Sequence, residues 1–238
     1  MDPSEIMVRC GDWDIKDDTT ERFIHQNRPI KSISIHPRFD ENIRNLYHDI
    51  AILHLTEEFD MKYPNIDIIC LPDFKGENFN SADCVAMGWG KDASRRKYPF
   101  YQKLLKQVNL NIVDHETCQT GLRTTRLKND FILHKSMICA GGEEGKDACE
   151  GDGGGPLVCK INGGATLYGV VSRGPHCNAA SLDEKYGVYG NVYYFKDEIE
   201  AFIRNEDPCP TNEYDYGDGL CDGYLNNSEN CFDGGDCC

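Results

Sequence analysis

The chain has 238 residues, thirteen of them cysteine, and a net charge of −15. That length can bury one sizeable core, or a barrel domain plus a small module. The acidic balance argues against nucleic acid and anionic membrane surfaces as partners, and no apolar run reaches the roughly eighteen residues that a membrane-spanning helix needs.

The opening Met1-Asp2-Pro3-Ser4-Glu5 lacks the basic flank and apolar stretch of a signal peptide. The cysteines, however, lack the spacing of a zinc ribbon and read as disulfides formed in an oxidising compartment. A secreted, extracellular protein is therefore expected, with its signal upstream of Met1 in the natural product or with this sequence a shortened isoform.

From about residue 9 to 201, short apolar or alternating runs are broken by Gly, Pro, Asn and Asp, which predicts an all-β sandwich or barrel. Strands are predicted at 30–35, 50–55, 108–113 and 167–172, with Val108, Leu110 and Ile112 on one face. Phe195, Ile199, Phe202 and Ile203 recur at i, i+4, i+7 and i+8, which predicts a terminal helix docking on the barrel. Asp207-Pro208 interrupts that pattern, and seven acids with no lysine or arginine follow between Cys209 and Cys238. The domains are accordingly placed at 1–207 and 208–238. His25, His36, His48, His54, His115, His134 and His176 show no close metal-ligand spacing and read as surface or packing residues.

The segment Asp147-Ala148-Cys149-Glu150-Gly151-Asp152-Gly153-Gly154-Gly155-Pro156-Leu157 resembles the nucleophile loop of the trypsin-like serine proteases, Gly-Asp-Ser-Gly-Gly-Pro, with Gly153 at the serine position. Four more fragments match in the same order: Asp49-Ile50-Ala51-Ile52-Leu53-His54-Leu55, Ile69-Cys70-Leu71-Pro72, Cys84-Val85-Ala86-Met87-Gly88-Trp89-Gly90 and Met137-Ile138-Cys139-Ala140-Gly141-Gly142. The resemblance covers roughly residues 8 to 204. It implies an all-β fold of two antiparallel β-barrels with the active site between them, the first barrel lacking its initial strands, and a C-terminal helix. Val8-Arg9-Cys10-Gly11-Asp12-Trp13-Asp14 and the run from Lys146 to Gly154 are similar to the non-catalytic clip-domain homologues of arthropods.

The resemblance assigns residues as well as a fold. Asp49 matches the triad aspartate, no Ala-Ala-His-Cys element precedes it, and Gly153 offers no attacking oxygen. Acyl transfer needs a nucleophile, a base and a group that orients the base, and loss of the nucleophile costs about a million-fold in related systems. Gly151 and Gly153 belong to the oxyanion loop. Asp147 would floor the primary specificity pocket, lined by Gly174 and Gly187, where a carboxylate suits a basic side chain. Arg173 stands where the family usually has tryptophan, placed either to neutralise Asp147 or to block extended substrates. Asp152 reads as a hydrogen-bonded loop residue or an unpaired charge. Matching positions imply the bridges Cys84–Cys159, Cys118–Cys139 and Cys149–Cys177, and a link from Cys70 to an upstream clip segment, with a Cys10–Cys70 bond left open.

The tail from Gly217 to Cys237 resembles a Notch-type (LNR) repeat, although Leu225 replaces one of its cysteines. That resemblance implies the bridges Cys209–Cys231 and Cys221–Cys237, together with a calcium ion on Asp222, Asn226, Asp233 and Asp236, whose hard oxygen donors suit it. Asn226-Asn227-Ser228 also fits a glycosylation acceptor, which would exclude Asn226 as a ligand. The expected function is that of a non-catalytic cofactor or regulator in an immune or clotting cascade, partnered by another protease or zymogen. The alternatives are a trypsin-class endopeptidase and a truncated isoform without function.

Overall fold

Short runs rich in β-branched and aromatic residues, punctuated by Gly, Pro and Asp, fold as antiparallel strands when each can bury one face. The computed structural model describes residues 3–40, 46–72, 83–92, 100–143, 145–161, 163–173 and 186–204. In chain order the strands are β1 (Met7–Cys10), β2 (Gln26–Ile35), β3 (Ala51–Leu55), β4 (Asp83–Gly88), β5 (Lys106–Val113), β6 (Met137–Ala140), β7 (Pro156–Ile161), β8 (Gly164–Arg173) and β9 (Gly187–Asn191). The helices are α1 (His115–Arg123) and α2 (Lys196–Ile203).

The six later strands close into one barrel in the order β4-β5-β6-β9-β8-β7, which leaves no edge unpaired. The three earlier strands form an open sheet, β1-β2-β3. The two expected barrels thus appear, among the described residues, as one closed barrel and one three-stranded sheet. Among the described residues β1 and β3 each pair only with β2, so the sheet is open there, and Ile35 and Leu53 are 62% and 45% exposed.

Alternation along β5 explains the barrel core. Leu110 is buried with Val108 and Ile112 packed beside it, while Asn109 and Asn111 face outward. Leu110 meets Cys84, Ala86, Leu157, Cys159, Val171 and Tyr189 in one cluster. Cys84 and Cys159 lie directly opposite in the β4–β7 ladder and are bonded, so this bridge joins neighbours that the sheet already aligns.

The helix α1 has no counterpart in the predicted elements. Its only apolar face is Cys118 and Leu122, too short a stripe for periodicity to reveal, and the Asp114 side chain starts it by accepting the Thr117 N–H at 2.9 Å. The Cys118–Cys139 bridge ties α1 to β6. Leu122, Leu127, Phe131, Leu133 and Met137 complete a second core around it.

The chain divides into two compact units, Met1–Tyr194 and Phe195–Cys238. Of the second unit, the described part is essentially α2, the predicted terminal helix, steadied by Lys196–Glu200 and Arg204–Glu200 ion pairs. The boundary expected near 207 and the whole 208–238 module lie outside the described residues. No helix among the described residues is long and apolar enough to cross a membrane.

Candidate active-site region

Asp49 lies two residues before β3, and its carboxylate Oδ2 accepts the Ser172 hydroxyl at 2.7 Å. Ser172 is near the end of β8, and the preceding residue, Val171, holds the glycine loop: Gly154 N–H donates to Val171 O, and Val171 N–H donates to Gly155 O, each at 2.8 Å. One strand therefore brings the acid matching the triad and the loop matching the nucleophile site together. His48 adjoins Asp49 in sequence, yet its ring stacks on His36 and meets His134 at a 58° tilt, both at 4.7 Å between centroids, with Nε2 3.3 Å from Tyr194 Oη.

The loop is shaped by Asp152. Its Oδ1 accepts Gly90 N–H at 2.7 Å and its Oδ2 accepts Cys149 N–H at 2.8 Å. Of the two readings of Asp152, a hydrogen-bonded loop residue or an unpaired charge, the geometry selects the first. Gly151 has φ +97°, and a Cβ there would lie 2.6 Å from Cε1 of Tyr101. This position requires glycine for two independent reasons. Gly153 differs, since a Cβ there would meet nothing within 4 Å. Space exists for a side chain at the nucleophile position, and the chain supplies none.

Beneath the loop, Asp147 sits against Gly187, where a Cβ would come within 2.6 Å of Asp147 Oδ1. The structure thus brings together two of the three residues assigned to the specificity pocket, while Gly174 lies outside the described residues. Ala148 N–H donates to Asp147 Oδ1 at 2.8 Å. Burial nevertheless pushes the Asp147 carboxyl up to about 7, with the Asp152 charge adding to it and the Ala148 bond opposing. A cavity of about 350 Å³ opens beside both carboxylates, bounded also by Gly90, Lys106, Val108 and Ala148. The Arg173 guanidinium lies over the Phe131 ring, 5.3 Å from its centroid.

Cys149 is disulfide-bonded, and its expected partner Cys177 lies outside the described residues. Cys10 and Cys70 are both unbonded, so the Cys10–Cys70 bond left open by sequence is not formed. The candidate tail residues Asp222, Asn226, Asp233 and Asp236 and the bridges Cys209–Cys231 and Cys221–Cys237 are likewise outside the described residues. Sequence reasoning missed the packing of His36, His48 and His134, which are far apart in the chain. It also missed Tyr101, whose ring covers the glycine loop and whose hydroxyl donates to Glu150 at 3.2 Å.

The family model described as Trypsin matches residues 2–199. The chain is 39% identical over 209 residues to phenoloxidase-activating factor 2 of Galleria mellonella, covering 87% of this chain and 66% of that one. It is 38% identical over 189 residues to inactive CLIP domain-containing serine protease A3 of Aedes aegypti, covering 79% and 38%. It is 37% identical over 200 residues to inactive CLIP domain-containing serine protease A8 of Anopheles gambiae, covering 83% and 52%. The chain therefore spans between 38% and 66% of the lengths of these relatives.

Proposed function

The chain belongs to the trypsin family, and we propose that it is a secreted, non-catalytic member that acts as a binding cofactor in a proteolytic cascade. The observation that carries this reading is Gly153, which leaves open space where the family places its attacking oxygen. Peptide hydrolysis by this family proceeds through an acyl-enzyme on that oxygen. Asp49, with its carboxylate held by Ser172, then serves the fold rather than an imidazole. Two relatives whose names call them inactive, and one named for activating phenoloxidase, support the same reading.

The partner is another protease or its zymogen, engaged by the face that retains the loop and pocket of an enzyme. In this proposal Asp147, Gly187 and Gly174 offer a basic side chain a receiving site, and Cys70 joins a clip segment. The tail from 208 adds a small module that takes calcium.

Reconstitution tests the proposal. The full chain is added to a trypsin-class zymogen with its activating protease, and zymogen cleavage is followed. The chain is expected to bind the zymogen and to change the rate or site of its cleavage, and pretreating the chain with a serine-directed inhibitor is expected to leave that effect intact. A chain that neither binds nor alters cleavage of any trypsin-class zymogen, or whose effect the inhibitor abolishes, overturns the cofactor reading.

A further inference from the structure

Three histidines from separate segments meet where the open sheet is bonded to the barrel. His36 follows β2, His48 precedes β3 and His134 precedes β6. The His36 and His48 rings stack with 16° between their planes, and His134 approaches the other side of the group at the same 4.7 Å between centroids. Tyr47 stacks on His134 at 4.7 Å, and the Tyr194 ring lies 5.8 Å from that of His48. His36 and His48 are buried, and the Ser136 side chain among them is wholly so.

The hydrogen bonds define which nitrogens carry protons in this arrangement. His36 Nδ1 accepts Arg38 N–H at 3.1 Å, and His134 Nδ1 accepts Ser136 N–H at 3.0 Å. A ring nitrogen that accepts a hydrogen bond holds no proton, so both imidazoles are neutral here with the proton on Nε2. The Ser136 hydroxyl, 2.7 Å from the same His134 Nδ1, must then donate to it, and its oxygen accepts His48 N–H at 3.1 Å. The bond sequence His134–Ser136–His48 thus ties the approach to β6 to the residue beside Asp49. Leu46 and His48 have φ +47° and +56°, a left-handed backbone that non-glycine residues keep only where the surroundings impose it.

We propose that His36, His48 and His134 form an acid-sensitive latch, which couples the open sheet to the barrel while the rings are neutral and releases it when they take up protons from solvent. Imidazole is the side chain whose charge ordinarily changes between about pH 5 and 8. Protonating Nδ1 of His36 or His134 turns an acceptor into a donor facing a backbone N–H, and charges on rings 4.7 Å apart repel one another. The open arrangement therefore binds more protons than the closed one, and falling pH favours opening. The other titratable or charged residues on the packed segments are Tyr47, Tyr194, Arg38, Asp40, Asp49 and Lys135. Arg38 has the same sign of charge as an imidazolium, Asp40 bonds Tyr47 O through its N–H, Asp49 accepts the Ser172 hydroxyl, and Lys135 is exposed. Release frees the segment from Leu46 to Asp49 from its left-handed backbone.

Amide hydrogen exchange resolved by residue tests the latch on the full, disulfide-intact chain at about pH 7.5 and about pH 5. After correction for intrinsic exchange, protection of the Arg38, His48 and Ser136 amides is expected to fall about tenfold in acid, as loss of two net hydrogen bonds would give. Amides of β4 and β5 are expected to keep their protection, because the buried Asp147 carboxyl holds its proton in acid and steadies the folded chain. The double variant His36→Asn, His134→Asn puts a non-titrating carbonyl oxygen where each Nδ1 accepts its N–H. With folding checked by near-ultraviolet circular dichroism, it is expected to abolish the acid-dependent fall. Equal protection at both pH values in the parent overturns the proposal, even without a folded variant. A fall shared by β4 and β5, or one that persists in the folded double variant, overturns it as well.

Discussion

Ser172 holds Asp49 through a 2.7 Å hydrogen bond that joins the end of β8 to the segment leading into β3. An acid matching a catalytic position is here part of the connection between the open sheet and the barrel. Removing the Ser172 hydroxyl deprives a half-buried carboxylate of its donor, which costs about 1–3 kcal/mol. Ser172→Ala is expected to lower stability by that amount in urea unfolding and to change no hydrolytic rate. Equal stability of variant and parent would contradict the structural role given to Asp49.

Two glycines in one loop should respond oppositely to the same substitution. Gly151 combines a left-handed backbone with contact against Tyr101, so Gly151→Ala is expected to destabilise by about 1–3 kcal/mol. Gly153 has free space around its Cα, and Gly153→Ala is expected to remain within about 0.5 kcal/mol of the parent. Thermal melts of the two variants side by side decide the matter, and a larger loss at position 153 would mean that the loop is packed differently.

Installing the nucleophile should not install the activity. Gly153→Ser fits the space, but Asp49 is occupied by Ser172 and the His48 ring is turned toward His36, His134 and Tyr194. The 238-residue variant is expected to fold and to show no acylation burst on an arginine ester. A burst would reveal an imidazole within reach of position 153.

Asp147 makes stability fall as pH rises. Its carboxyl ionises near 7 in the folded chain and near 3.8 in the unfolded one. Between those values the native state holds a proton that the unfolded state has released, so the slope of unfolding free energy with pH is negative. Asp147→Asn mimics the protonated form. It is expected to flatten this slope between about pH 4 and 7 and to stabilise the chain above pH 7, by up to about 4 kcal/mol. Parallel pH–stability curves for the variant and parent would contradict the burial of this carboxyl.

Much of the barrel is legible in the residues themselves. Alternation at Val108, Leu110 and Ile112 marks an inward face, and the Cys84–Cys159 and Cys118–Cys139 pairings follow from matching positions. Other features depend on tertiary approach and leave no local trace. The helix α1 rests on a two-residue apolar face, a capping Asp114 and a glycine, Gly121, against which Tyr186 packs. His36, His48 and His134 read as ordinary because they become neighbours only when the segments after β2, before β3 and before β6 pack together. The first barrel, expected to be incomplete, is a three-stranded open sheet among the described residues, and strand patterns alone do not say whether its edges are paired.

Active-site labelling asks whether any attacking oxygen operates at position 153. The full chain is incubated with a serine-directed fluorophosphonate and an arginine ester, and intact mass and ester hydrolysis are recorded together. No mass increase and no turnover above the buffer rate are expected. Stoichiometric labelling, or turnover that the reagent abolishes, would contradict the account.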